Sequence, residues 1–239
     1  MKYELRPPKM PGLARYRALR RRTPGASVIR SLEYEMLEEI SLSGRILDYG
    51  GGQGASYVSL LPDDIELLSV NIDTQYNPTH LIGVGEALPF GDGHFDGAIC
   101  LNVLEHIYDT RFVLDEIFRV LRPGGVLHIS VPFIFRVHGH PDDYSRHTTS
   151  WWRETMERTG FAETVIEPLV WGKASSAQLI RGNGLWPAFT TWRNMLHDIA
   201  MARLKSKDRA CISGRYGASV SAVSPGWWIA AVKGKAPVG

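Results

Sequence analysis

Three glycines and two acids carry the most specific chemistry in this sequence. The stretch Arg45-Ile46-Leu47-Asp48-Tyr49-Gly50-Gly51-Gly52-Gln53-Gly54 is a short apolar run that breaks into a glycine loop. Asp73 follows at the end of the next apolar run, 23 residues after Gly50. A loop without side chains lets a ligand lie against backbone, and a carboxylate one strand later can accept from ribose hydroxyls. The pattern therefore reads as a site for a nucleotide-containing ligand.

A second cluster lies downstream, in His138-Gly139-His140-Pro141-Asp142-Asp143-Tyr144-Ser145-Arg146-His147. His140 and His147, with His106 ahead of them, are bases suited to taking a proton from a hydroxyl. Arg146 offers a planar fork for a phosphate or carboxylate. His140 is the first choice for substrate contact, with Tyr144 and Arg146 beside it. The same residues also suit a scaffold: Asp142 and Asp143 can make turn hydrogen bonds, and Tyr144 with Arg146 can brace the loop. No metal site is expected, because the three histidines lack a second ligand cluster at fixed spacing.

Alternating elements must position these groups. Residues 10–22 and 26–41 read as helices; in the second, Val28, Ile29, Leu32, Met36, Leu37 and Ile40 form an apolar stripe and Glu33, Glu35, Glu38 and Glu39 mostly fall off it. Strands are expected at 45–49, 66–72, 79–83, 95–101 and 125–131, and a helix at 110–121 that Arg122-Pro123-Gly124-Gly125 stops. Thr149–Thr159 reads as a helix, and 161–168 and 227–233 as strands. Strand alternating with helix predicts an α/β fold with a doubly wound, mostly parallel sheet. Residues 1–42 would form an N-terminal helical arm and 43–239 the main domain, in which 172–225 would be a partly helical cap or lid inserted before the last strand. Within it, 185–205 is amphipathic, with Trp186, Trp192, Met195, Leu196, Ile199 and Leu204. A packed helix is expected there rather than one lying on a membrane.

The chain of 239 residues is 44% hydrophobic and 22% charged, an ordinary globular composition. No apolar run reaches the ~20 residues of a membrane span. The first residues, MKYELRPPKMPG, lack the apolar core of a secretory signal. Only Cys100 and Cys211 are present, so a disulfide framework is not expected and a cytoplasmic, reducing compartment is. The net charge of +2 hides an asymmetry: residues 1–30 hold nine Lys or Arg against one acid, Glu4. A solvated helix face is the expected use of that charge. Without interleaved aromatics, no nucleic-acid groove is expected.

The glycine loop fits two ligands. Gly50, Gly52 and Ala55 satisfy G-x-G-x-x-A, the dinucleotide pattern, while Gly50, Gly52 and Gly54 satisfy G-x-G-x-G. Asp48 separates them, because a carboxylate beside the loop would repel a pyrophosphate and suit a cationic ligand. With Val70-Asn71-Ile72-Asp73-Thr74-Gln75, residues 86–109 and 120–132, the segment from about Arg45 to Pro132 resembles the class I S-adenosylmethionine-dependent methyltransferases. The resemblance implies a Rossmann-like fold with S-adenosylmethionine as cofactor. Asp48, Gly50, Gly52 and Gly54 would serve the methionine side, Asp73 the ribose, Thr74, Glu86, Ala87 and Leu88 the adenine, and Asn102 and Val103 the sulfonium. Val84 stands where relatives often carry an Asp for the adenine amino group. The segment at 138–148 is similar to a His-x-x-Pro-x-Asp-Tyr-x-Arg-x-Thr stretch of methyltransferases in sugar pathways. The acceptor implied is a small molecule, with O-methylation of a sugar or secondary metabolite ahead of N-methylation. A phosphorylated or RNA substrate held by the basic arm, an NAD-dependent oxidoreductase and a non-catalytic binding module are the alternatives. Oligomeric state is not legible.

Overall fold

Side chains along the central strands decide the layering. Ile46 of β2 (Arg45–Tyr49) faces one side and its neighbour Leu47 the other, as successive strand residues must. The computed structural model describes residues 1–139, 141–182 and 187–234, with the backbone alone at residue 187. β1 (Lys2–Leu5), α1 (Leu13–Arg22) and α2 (Val28–Glu39) precede β2. β3 (Glu66–Asn71), β4 (His80–Leu81), β5 (Phe95–Leu101), α3 (Thr110–Val120), β6 (Leu121–Pro132), α4 (Thr149–Thr159) and β7 (Phe161–Pro168) follow. The described chain ends through α5 (Lys173–Arg181), α6 (Pro187–Lys205), α7 (Gly214–Ser221) and β8 (Gly226–Lys233).

The strands form one sheet in the order β1-β7-β8-β6-β5-β2-β3-β4. All pairings are parallel except those of β8, which runs antiparallel between β6 and β7. This is the expected doubly wound, mostly parallel sheet. One strand is additional to the expected set: β1 pairs in parallel with the outer edge of β7, Lys2 beside Glu163. Its sequence, KYEL, is largely exposed and carries no alternation, so only the free edge of β7 gives it a reason to be extended.

Each face of the sheet is covered. Val113, Leu114 and Ile117 of α3 and Trp152 and Met156 of α4 pack with Leu47, Ala98, Cys100 and Ile129. On the other face Leu19 of α1, Leu32, Met36 and Leu37 of α2, and Met195 and Ile199 of α6 pack with Ile46, Ile99 and Trp228. The helix starts have local causes: the Asp109 side chain accepts from the Phe112 N–H, and that of Thr148 from the Trp151 N–H. α4 stops at Gly160, whose φ of 107° suits glycine. Lys233, at the end of β8, closes α3 by donating to the Phe118 carbonyl (2.6 Å) and the Leu121 carbonyl (2.7 Å).

The helices between β7 and β8 are held by a buried acid. Asp198 of α6 accepts from the backbone N–H of Ala174 and of Ser175, both at 2.9 Å, at the start of α5. Trp192 and Leu204 are exposed, while Met195 and Ile199 are buried as an inward stripe. Leu185 and Trp186 lie outside the described residues. No described helix is long and apolar enough to cross a membrane.

Candidate active site

The carboxyl ends of β2, β3 and β5 open on one cavity of about 1000 Å³. β3 lies on one side of β2 and β5 on the other, so this is the point where strand order reverses and open α/β sheets bind ligands. Gly50 and Gly51 line it from β2, Asn71, Ile72 and Asp73 from β3, and Leu101, Asn102 and Val103 from β5. The α1–α2 connection, residues 22–26, forms one wall; His106, Tyr108, Pro141, Asp142 and Tyr144 form another.

The glycine loop is shaped by close approaches. Gly50 has φ 83°, and a Cβ there would lie 2.3 Å from Val103 Cγ2. A Cβ on Gly52 would lie 2.3 Å from the Tyr76 carbonyl oxygen, and the Gly54 N–H donates to that same oxygen at 2.8 Å. Gly52 and Gly54 thus serve the packing of the loop on residue 76 and are not in the cavity wall. Asn71 Nδ2 donates to the carbonyls of Gly50 (2.8 Å) and Gly51 (3.0 Å). Asp48, expected to serve the methionine side, does not line the cavity. It is wholly buried beneath the loop, where it accepts from the Gly52 N–H (3.1 Å) and the Tyr57 hydroxyl (2.8 Å). Burial pushes its pKa up to about 7, against the pull of those two bonds. Its influence on a ligand therefore runs through the loop it holds.

Asp73 reaches the cavity, and its Oδ1 also accepts from the Gln75 N–H. The expected adenine flank is different. Leu88 is in the core with its N–H donated to Glu116 (2.8 Å), and Glu86 folds back to the Gly83 N–H (2.7 Å). Neither these two nor Ala87 and Thr74 line the cavity; Ile72, Tyr76, Ile82 and Val84 do. In the sequence Val84 stands out only for the acid it replaces, whereas in the fold its apolar side chain forms part of the wall.

Asn102 sits in the left-handed region at φ 55°, a conformation costing roughly 1–3 kcal/mol for a residue with a side chain. Its N–H donates to the Ser130 carbonyl (2.8 Å) and its Nδ2 to Glu33 Oε2 (2.7 Å). The same Glu33 oxygen accepts from Ser130 Oγ (2.8 Å), and Glu33 Oε1 accepts from Arg30 Nη1 (2.7 Å). Glu33 is 1% exposed, unlike the outward glutamates its spacing suggested.

At the far end, the turn at residues 104–106 holds the 141–147 loop. The Glu105 carbonyl accepts from the N–H of Tyr144 (2.8 Å) and of Ser145 (3.3 Å), and His106 Nδ1 meets the Asp142 carbonyl. Tyr144 lines the cavity and its hydroxyl donates to Asp142 (3.2 Å). Arg146 does not reach the wall. Its fork closes on Asp143, with Nη2 to Oδ2 at 2.6 Å, and holds that carboxyl down at about 2. His147 stacks on Trp151 with ring centroids 3.4 Å apart, outside the main cavity, and burial draws its pKa below the usual value. Of the expected bases, His106 is the one in the described wall; His140 lies outside the described residues. The Glu105 carboxylate is 2% exposed, and burial pushes its pKa up to about 8.

Residues 47–129 match the methyltransferase domain family. An uncharacterized methyltransferase of Mycobacterium sp. (strain KMS) is 32% identical over 108 residues, 41% of this chain and 42% of that protein. An O-methyltransferase of Aspergillus nomiae is 34% identical over 106 residues, 38% of this chain and 47% of its own. The match thus spans less than half the length of these relatives. A methyltransferase of Thermotoga maritima, S-adenosylmethionine-dependent, shares the fold: TM-score 0.53 at 15% identity, over 92% of this chain and 94% of that one. By core sequence, residues 47–129 match a methyltransferase domain, and by fold the chain is similar to an S-adenosylmethionine-dependent methyltransferase.

The residues present fit that cofactor. A cradle without side chains at Gly50 and Gly51, an acid at the end of β3 and an apolar slot at Ile82 and Val84 share one cavity. The Gly52 N–H, which a pyrophosphate would want, is already donated to Asp48.

Proposed function

We propose that the protein transfers a methyl group from S-adenosylmethionine to a hydroxyl of a small molecule, a sugar or a secondary metabolite. The supporting observation is that one cavity joins Asp73 and the glycine loop at one end to His106 and Tyr144 at the other. Bound S-adenosylmethionine would supply a methyl group activated by its positive sulfur. Asp73 would accept from the ribose hydroxyls, and Ile82 and Val84 would flank the adenine, leaving its amino group to backbone or water. Gly50, Asn102 and Val103 would shape the sulfonium end, while Tyr108 and Tyr144 would hold the acceptor in line for displacement. A histidine takes the hydroxyl proton: His140 by its place in the 138–147 segment, or His106, which lines the cavity and whose Nδ1 meets the Asp142 carbonyl. Arg146, occupied by Asp143, shapes the loop rather than gripping substrate. The two free cysteines suit a reducing, cytoplasmic setting. The similarity of 38% of this chain to an Aspergillus nomiae O-methyltransferase favours oxygen as the acceptor atom.

Calorimetry with S-adenosylhomocysteine tests this reading. The expected result is tight binding that Asp73→Ala weakens more than tenfold, since a charge-assisted hydrogen bond is worth roughly 1.5–3 kcal/mol. Tight NAD binding with no response to S-adenosylhomocysteine would overturn it.

A further inference from the structure

Glu105 is a buried carboxylate that the methyl-transfer reading leaves unused. Apart from its own backbone amide, neither carboxylate oxygen has a hydrogen-bond donor among the described residues. The Arg146 charge reaches Glu105 only through space, and a buried acid without a hydrogen-bond donor is costly, so native proteins pair such groups or give them to a cation. Two imidazoles face it. His106 Nε2 lies 3.6 Å and His138 Nε2 3.9 Å from Glu105 Oε1. The three ligand atoms all lie within 4.8 Å of one another. Both distances exceed a hydrogen bond, so the trio is not closed on itself.

Both imidazoles are turned the same way by outer partners. His106 Nδ1 meets the Asp142 carbonyl, and His138 Nδ1 lies 3.2 Å from the Arg136 carbonyl and 3.5 Å from Asp143 Oδ2. A carbonyl on Nδ1 favours the tautomer whose Nε2 keeps its lone pair, which is how metal-binding histidines are oriented; at His138 the Arg146 guanidinium, 3.3 Å from Nδ1, competes with those acceptors, and a metal on Nε2 would decide between them. We propose that Glu105, His106 and His138 bind a divalent transition-metal ion of the zinc class at the edge of the acceptor end of the cavity.

The donor set decides the ion class. Two imidazoles and one carboxylate suit zinc, cobalt or iron(II), whereas magnesium and calcium prefer oxygen alone. Ligands around tetrahedral zinc lie about 3.3 Å apart for bonds of ~2.0–2.1 Å, a short contraction from the observed spacing. Three protein ligands leave a position open, and His106 is the member that also lines the cavity. His106 would then act as a ligand rather than a base. No metal site is expected from the sequence because no second ligand cluster stands at fixed spacing from the three histidines; the partners of His138 come instead from the turn after β5, brought close by the loop's bonds to the Glu105 carbonyl. The site itself does not rest on methyl transfer; only its use does.

The test uses the full chain, stripped with a chelator and dialysed. Titration with zinc chloride in a calorimeter is expected to give one equivalent bound at about 1 µM or tighter, with magnesium chloride inert. Cobalt chloride is expected to give the visible absorption of a low-coordinate site. Glu105→Gln, which keeps shape and removes charge, and His138→Gln, at a half-exposed position, are each expected to weaken zinc binding at least tenfold. Their circular dichroism and their S-adenosylhomocysteine affinity are expected to match the parent. Absence of zinc binding, or equal affinity in both folded variants, would overturn the proposal. Zinc binding with no S-adenosylhomocysteine binding in the parent would uphold the metal site and sink the methyl-transfer reading alone.

Discussion

Asp48 lies wholly buried between the Tyr57 hydroxyl and the Gly52 amide, and its pKa is raised to about 7. In the unfolded chain the same carboxyl ionises near 3.8. Its contribution to stability is therefore complete below the unfolded value and is lost as pH climbs through the folded one. Asp48→Asn cannot ionise, so its denaturant midpoint is expected to fall less than the parent's from about pH 4 to pH 7; parallel curves would refute the assignment. In the sequence this residue stands out as a charge beside the loop that would repel a pyrophosphate. The structure supplies a hydrogen bond instead, because spacing reports which residue is near a loop and not which way its side chain turns. The same limit hid Leu88, whose place after Glu86 fitted an adenine flank while its apolar side chain had more to gain in the core.

At the scale of elements, α2 does more than cover the sheet. Glu33 reaches from its inner face to Asn102 and Ser130, which stand at the ends of β5 and β6. Helical spacing grouped Glu33 with Glu35 and Glu38. Those two turn to the arginines of α1, Glu35 to Arg15 and Glu38 to Arg22, but Glu33 turns inward. Its partners are 69 and 97 residues away, beyond any local pattern. Glu33→Ala leaves these donors unpaired, each at about 1–3 kcal/mol; the exposed Arg30 adds little. The variant is expected to lose about 3 kcal/mol in urea unfolding and to bind S-adenosylhomocysteine more weakly, as Asn102 relaxes from its left-handed conformation. Full stability would show that Asn102 holds itself. The central strands and α3 and α4 were legible because burial imposes a strong period on them. β1 was not, because an edge strand of polar residues is extended only by its neighbour.

For the whole molecule, charge asymmetry in the sequence becomes local pairing in the fold. Of the nine basic residues before position 31, Lys2, Arg6, Lys9, Arg15, Arg22 and Arg30 each meet a carboxylate of this chain. Little of the +8 at the N-terminus is left to attract phosphate. Fluorescence polarisation with a labelled RNA is expected to show no specific binding near physiological salt. An affinity that falls about 10³-fold or more between 50 and 200 mM salt would instead mark a phosphate-gripping surface.

The position of β8 bears on how the chain is made. Synthesis delivers the strands in numerical order, yet the strand that joins the two halves of the sheet arrives eighth. Until residues 226–233 emerge from the ribosome, β6 and β7 each present an open edge, and the spaces for Trp227 and Trp228 stay unfilled. The glycine loop and Asp73 belong to strands that can pair much earlier. The ligand-binding strands can thus pair first, while the β6 and β7 edges both stay open from residue 168 until residue 226 is made, an interval in which they are exposed to pairing with neighbouring chains.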